Sequence, residues 1–298
     1  MSKSLLACAI GTTQSTIARI NISENGAIAL SSCSTIQGGV HEITEGRNHR
    51  AAKKLLALTK EWKNDPIALT LSQTEYRTLP AYFPSHAGDE VARELCAIEA
   101  EHFLLQPERY RCEHLTYGEN GIDCSAEKKL LLFYPAEPIR IASAYFSKYR
   151  PVMFSGSPLL PLVHLSRYQQ DPLIILELEK NFVLLCIAHK GRMNYFSYRR
   201  VENQSEKEYF SLQTIKEASL FHHTVVQVTG TGADMATTAL IEKETGCRLN
   251  PLALPEALSG TLVGVDSTKE MPSSAIQAIS TALMALALRQ TGATCVSP

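Results

Sequence analysis

Three short apolar runs open the chain, joined by turns too short to hold a helix. SLLACAI (4–10) reads as a buried strand and STIARINI (15–22) alternates in part. AIALSSCS (27–34) follows Asn25-Gly26, a dipeptide that favours a tight hairpin. The apolar period then lengthens. NHRAAKKLLALTKEW (48–62) predicts a helix that stops near Asp65-Pro66, and IALTLS (67–72) predicts a strand. GDEVARELCAIEAEHFL (88–104) sets Val91, Leu95 and Ile98 at helical spacing behind an acidic first turn. Strands over 111–117 and 129–134 flank the turn-rich GENGIDCSAE, and a helix is expected over 137–148. Residues 150–172 carry four prolines and read as a passage between domains, with a short helix around Leu160–Arg167.

Beyond that passage the opening pattern returns. LIILELE (173–179), FVLLCIAH (182–189) and RMNYFSYRR (192–200) read as three more strands on short turns. A helix over 206–221, a strand over 224–230, a helix over 234–246 and a small-residue helix over 273–290 complete the chain. Twice, therefore, at 4–34 and at 173–200, a three-strand meander precedes an αβ section. Two such halves do not suit a dinucleotide-binding sheet. They predict an α/β protein of two related ribonuclease H-like domains, residues 1–150 and 151–298, facing each other across a cleft. This is the actin-like ATPase fold, and its last helix is expected to return towards the cleft.

Composition narrows the function classes. The 29 basic and 30 acidic residues balance, which argues against a nucleic-acid binder with its basic stripe. The eight cysteines form no C-x-x-C pair and several sit in apolar runs, so buried reduced thiols are expected rather than a disulfide frame or a zinc site. The start of the chain lacks a secretory leader pattern, and the apolar run ISTALMALAL (279–288) is about half of what a bilayer span requires. These features predict a cytoplasmic protein without direct membrane insertion. HEITEGRNH (41–49) offers His41, Glu42, Glu45 and His49, but not at metalloprotease spacing, and it reads as a solvated loop.

Candidate chemistry concentrates at two turns. VVQVTGTGA (225–233) runs from a strand into Gly230, Thr231, Gly232 and Ala233 ahead of a helix, a context that favours an anion at the helix N-terminus. Asp234 is placed to cap that helix instead. Gly11, Thr12, Thr13 and Gln14 follow the first strand, where they either donate to an anion or simply close a tight turn. The aromatic run NYFSYRR (194–200) either offers stacking and cationic contacts to a partner or is a half-buried strand.

ACAIGTTQSTIARI, LIILELEKNFVLLCIAHKGRMNYFSYRRV, VVQVTGTGADMATTALIEKETGCRLNPL and PSSAIQAISTALMALALR, taken in this order, resemble the actin-like type IV pilus assembly family PilM and the related type II secretion GspL proteins. The resemblance implies that Gly11, Thr12, Thr13 and Gln14, Glu177 and Glu179, and Gly230, Thr231, Gly232 and Ala233 surround a nucleotide cleft. It also marks departures. Where the superfamily handles magnesium through two aspartates, this chain has Ala9 and Glu177, and the second loop's glycine is Glu179. A carboxylate in that place repels a polyphosphate, so ATP with magnesium is disfavoured for catalysis more than for binding. The family further implies a scaffold role in a pilus or secretion machine. In that role a groove around residues 67–104 would take a short peptide from an inner-membrane assembly protein, holding the chain at the inner membrane through that partner. An active ATPase or small-molecule kinase of the same superfamily, and a homo-oligomerising module, stand as the alternatives.

Overall fold

The computed structural model describes residues 3–23, 27–44, 49–118, 125–221, 223–259 and 271–291. Strands β1 (Lys3–Ile10), β2 (Gln14–Ile22) and β3 (Ile28–Gln37) form an antiparallel meander, and the Asn25-Gly26 turn lies outside the described residues. Helices α1 (Val40–Thr44) and α2 (Arg50–Leu58) follow, so part of the segment expected as a loop at 41–49 is helical. β4 (Ile67–Leu71) then joins the free edge of β1 in parallel, Cys8 pairing with Leu69. β1 thus has a neighbour on each edge and cover on both faces, which is why its sequence is a continuous apolar run. β3 has one neighbour, and its solvent side shows as alternation.

A third sheet interrupts the first half. β5 (Arg77–Pro84), helix α3 (Asp89–Phe103), β6 (Tyr110–Thr116) and β7 (Ala126–Pro135) build an antiparallel sheet in the order β5-β7-β6. Its strand residues alternate between two cores. Phe83, Leu131 and Phe133 meet Ala92, Cys96 and Ala100 of α3, while Leu130, Leu132 and Tyr134 face the main core. Helix α4 (Ala136–Ser147) leads to β8 (Val152–Gly156), which pairs in parallel with β4 and closes the first sheet as β3-β2-β1-β4-β8. Glu113 of β6 reaches this strand's end, accepting from Ser157 N at 3.1 Å and Ser157 Oγ at 2.9 Å. The proline-rich passage therefore holds a strand of the first sheet as well as helix α5 (Leu159–Leu165).

The second half repeats the plan of the first. β9 (Leu173–Leu178), β10 (Phe182–His189) and β11 (Arg192–Arg200) form a meander. Helix α6 (Gln204–Glu217) precedes β12 (Val225–Thr229), which lies parallel to β9, and helix α7 (Met235–Thr245) precedes β13 (Arg248–Pro251). The resulting order, β11-β10-β9-β12-β13, matches that of the first sheet strand for strand. A short helix α8 (Glu256–Ser259) and the long α9 (Ser273–Thr291) end the described chain.

One core runs between the two five-stranded sheets. On β9, Ile174, Leu176 and Leu178 point to α6 and α7, whereas Leu173 and Ile175 join the core shared with the first sheet and α9. Helix α9 packs on β1 and β2 through small side chains, with Ala278 and Ala282 fully buried. Hydroxyls set its position: Thr16 donates to Ser274 at 2.7 Å, and Thr70 and Thr281 lie 3.0 Å apart. The return of the last helix is therefore a close approach to the first sheet. No described helix is long and apolar enough to cross a membrane. A larger side chain in this contact should be costly. Ala282→Leu is expected to lower stability by about 1–3 kcal/mol through overpacking, read from the midpoint of urea unfolding; an unchanged midpoint would mean that α9 is not held against the sheet.

Candidate functional site

Turn one follows β1 and turn two follows β12, and both are braced by hydrogen bonds within the protein. In the first, Gly11 N donates to Gln14 O at 2.9 Å, Gly11 O accepts from Val40 N at 2.9 Å, and Thr13 O accepts from Gly38 N at 2.9 Å. Gln14 already belongs to β2 and pairs with Gln37, while Thr13 is exposed. In the second, Gly230 holds φ +100°, and a Cβ there would collide with the Leu178 carbonyl, so glycine is required. Gly232 N donates to Leu178 O at 2.8 Å, and Ala233 N reaches Gly230 O at 3.4 Å. Asp234 caps α7 by accepting from Thr237 N at 2.8 Å. The buried Lys207 of α6 donates to Gly232 O at 3.0 Å and fixes the turn from below.

Glu179 joins the two turns. It lies just past β9 and is 5% exposed. Its Oε2 accepts from Thr12 Oγ1 at 3.3 Å and from Thr231 Oγ1 at 2.5 Å, and its Oε1 accepts from Thr231 N at 3.3 Å. The hydroxyl and N–H donors that would meet a phosphate thus meet a carboxylate of the chain itself. From the sequence Glu179 is expected to repel a polyphosphate; in the structure it accepts hydrogen bonds from both turns.

Glu177, two residues earlier on the extended chain, lies on the same side of the strand. No hydrogen bond reaches its carboxylate among the described residues. Burial, with the charge of Glu179 beside it, pushes its carboxyl up to about 8. Tyr76 lies close enough to feel that charge. Ala9, the counterpart in the first half, is buried inside β1 and offers no ligand. Among the described residues no group of three histidine, cysteine or acidic side chains is placed to hold a metal ion. His49 instead sets its Nδ1 2.7 Å from Ile43 O and its ring against Tyr145; Glu45 lies outside the described residues. A magnesium polyphosphate does not fit this arrangement. It would have to displace Glu179 from three donors and then accept two carboxylates at the same place.

A second concavity opens nearby, with a volume of about 510 Å³. One wall is the segment from Thr74 to Arg77 that leads into β5; the other is Asn181, Tyr198 and Arg200 from the β10–β11 meander. Tyr198 crosses between them, its hydroxyl donating to Thr74 O at 2.7 Å and its ring 5.7 Å from Tyr76. Arg77 is held by Glu75 at 2.9 Å and lies over the Tyr110 ring. Arg200 is exposed and makes no ion pair among the described residues. Sequence reading had its signal in NYFSYRR, where Tyr198 and Arg200 share a side of the strand. It had no means of bringing Thr74 and Asn181 to the same place.

No family model matches the chain, and no curated protein does. Solved structures do. A PilM–PilN type IV pilus biogenesis complex is similar at 13% identity and TM-score 0.66, with 99% of each chain covered. A Bacteroides thetaiotaomicron protein with an actin-like ATPase fold and unknown function is similar at 11% identity and TM-score 0.50, covering 86% of this chain and 95% of that one. The cytoplasmic domain of EpsL, an inner membrane component of the Vibrio cholerae type II secretion system, gives 8% identity, TM-score 0.49 and 95% coverage of both. The first two establish the expected fold class: the chain has the actin-like ATPase fold.

The buried pair of carboxylates makes stability depend on pH with a definite sign. A folded-state carboxyl held above its unfolded value binds a proton that the unfolded chain has lost. Its contribution is therefore most favourable at pH 4–5 and declines as pH rises towards 8. Glu177→Gln is expected to match the wild type in thermal stability near pH 5 and to exceed it increasingly up to pH 8–9. Parallel melting curves against pH that never diverge would rule out a buried, uncompensated Glu177.

Proposed function

We propose that this chain is a non-catalytic actin-like scaffold of a pilus or secretion-type envelope machine. In this reading the two halves are related domains, expected at 1–150 and 151–298 but with the first extending beyond residue 150 to include β8, and the cleft between them is closed by the protein's own carboxylate. The observation that carries the reading is Glu179, which takes the hydroxyls of Thr12 and Thr231 from opposite halves. The same bridge that blocks a polyphosphate also ties the halves together, and a rigid two-lobed body suits assembly better than turnover. End-to-end likeness to PilM in a PilM–PilN complex supports the setting.

The partner in this reading is a short cytoplasmic peptide of an inner-membrane assembly protein, and the chain works in the cytoplasm, held at the membrane through it. The cavity between Thr74–Arg77 and the β10–β11 meander is a fitting seat, and it overlaps the groove expected at 67–104. It combines tyrosine rings, a main-chain segment and the exposed cation of Arg200, which makes no ion pair among the described residues. An extended peptide carrying apolar and acidic side chains would use all three.

Calorimetry with ATP, with and without magnesium, tests the first half of this reading. No heat at millimolar ATP is expected for the wild type. Glu179→Gly removes the internal anion and is expected to create measurable nucleotide affinity, whatever its effect on stability. Magnesium-dependent ATP binding by the wild type would instead identify an ATPase or kinase. Fluorescence anisotropy with labelled N-terminal peptides of inner-membrane proteins encoded beside this chain tests the second half. Arg200→Glu and Tyr198→Ala are each expected to weaken binding at least tenfold, and equal affinity in both variants would move the seat elsewhere.

A further inference from the structure

Two helices of the first half carry opposite charge on their outer sides. Residues 50–63, which hold α2 and the turn after it, contain five cations and one carboxylate. Residues 89–101, most of α3, contain five carboxylates and one cation, Arg93. Elsewhere several exposed charges are answered nearby, as in Arg77–Glu75, Arg140–Glu137, Arg199–Glu217 and Lys243–Glu244. On these two faces they are sorted by sign instead. Lys53, Lys54 and Lys60, and Glu90, Glu94 and Glu101, are exposed and make no ion pair among the described residues.

Each face also leaves apolar side chains uncovered. α3 packs Ala92, Cys96 and Ala100 against the third sheet, so its opposite side is turned outward. Val91 and Ile98, about two turns apart, line that side and are 46% and 51% exposed. Glu94 and Glu101 run beside them at the same spacing, and Leu105, 99% exposed, follows the helix. α2 buries Ala51, Ala52 and Leu55 and turns Lys53, Lys54 and Ala57 outward together with Leu58, which is 42% exposed.

We infer that α3 of one copy of this chain docks on α2 of another, its carboxylates beside the lysines and its Val91 and Ile98 against Leu58. Charge decides the occupant. Two α3 faces would bring like charges together, and so would two α2 faces, whereas α2 and α3 are complementary in sign. The contact joins two different patches, and every copy carries one of each, so association extends beyond a pair unless the copies turn to close it. Two short helices bury less than a standard stable interface, which makes the contact weak and sensitive to salt. None of this depends on what the cleft or the Tyr198 cavity holds.

The intact chain is followed by sedimentation equilibrium from tens to hundreds of micromolar. Its weight-average mass should rise with concentration at low salt and return to that of one chain in molar salt, where charges are screened within about 3 Å. Lys53→Glu with Lys54→Glu, and separately Glu94→Lys with Glu101→Lys, should each weaken association by about tenfold or more. All four side chains are exposed, so both variants should melt like the wild type. An equimolar mixture of the two variants should associate again, because the acidic α2 of one meets the basic α3 of the other. Ile98→Ser should weaken association with no change of charge. A wild-type chain that stays monomeric throughout, charge variants or Ile98→Ser that associate as the wild type does, or a mixture of folded variants that stays monomeric would each overturn the inference.

Discussion

A single carboxylate decides what the centre of this molecule can do. Two strand-to-turn connections, one from each half, approach each other with hydroxyl and N–H donors inward, and such a place needs an anion. The anion here is Glu179, bonded to Thr12 and Thr231. An exchangeable ligand would leave the halves free to part when it left; a covalently attached one does not. The cost appears one turn of the pleat earlier, at Glu177. That residue shares the site without a hydrogen bond among the described residues, and its own burial and its neighbour's charge oppose ionisation. Donors to one carboxylate and none to the other is the asymmetry expected where one group serves as the internal ligand and the other is retained beside it.

The rest of the fold keeps the two turns in register. Each follows a strand of a five-stranded sheet in the same order, so the turns arrive as related elements. The shared core and α9 then fix one sheet against the other. Alanines let the helix approach β1 and β2 closely, while hydroxyl pairs replace apolar contact where the fit is closest. The third sheet is fastened twice. Glu113 holds the end of β8, and Tyr117 bridges to Met193 of β11, with Gly118 N donating to Met193 O at 2.8 Å. The two halves of the chain are thus joined at the Glu179 bridge and again between the third sheet and β11.

Much of this was legible in the sequence because burial on two faces leaves an unbroken apolar run. β1, β4, β9 and β10 are such strands, and their spacing exposed the repeat. Three strands were not seen, each for its own reason. β5 carries two prolines and alternates weakly, as an edge strand can. β8 lies in the proline-rich passage that composition marks as a connection. β13 has four residues, most of them exposed, and is held by its partner β12 more than by any pattern of its own. The site divides in the same way. Turn residues announce themselves through glycine, as Gly230 does, whereas the pocket of Thr74, Asn181 and Tyr198 exists only through tertiary placement.

Identity and conformation therefore carry different information about function. Gly230 is required by the backbone path of the second turn against Leu178, and Gly232 lies against the Glu179 backbone, whether or not a nucleotide was ever near. The turn sequence thus says only that a strand, a tight bend and a helix follow one another. What distinguishes a nucleotide site from a closed joint is the chemistry opposite the turn, and that is supplied by a residue about fifty positions earlier in the chain. Glu179 is both the departure from the expected glycine and the partner that satisfies Thr231. A substitution that merely erased a ligand site would leave those donors without an acceptor. Glu179 provides that acceptor, which makes the turn part of a structural joint.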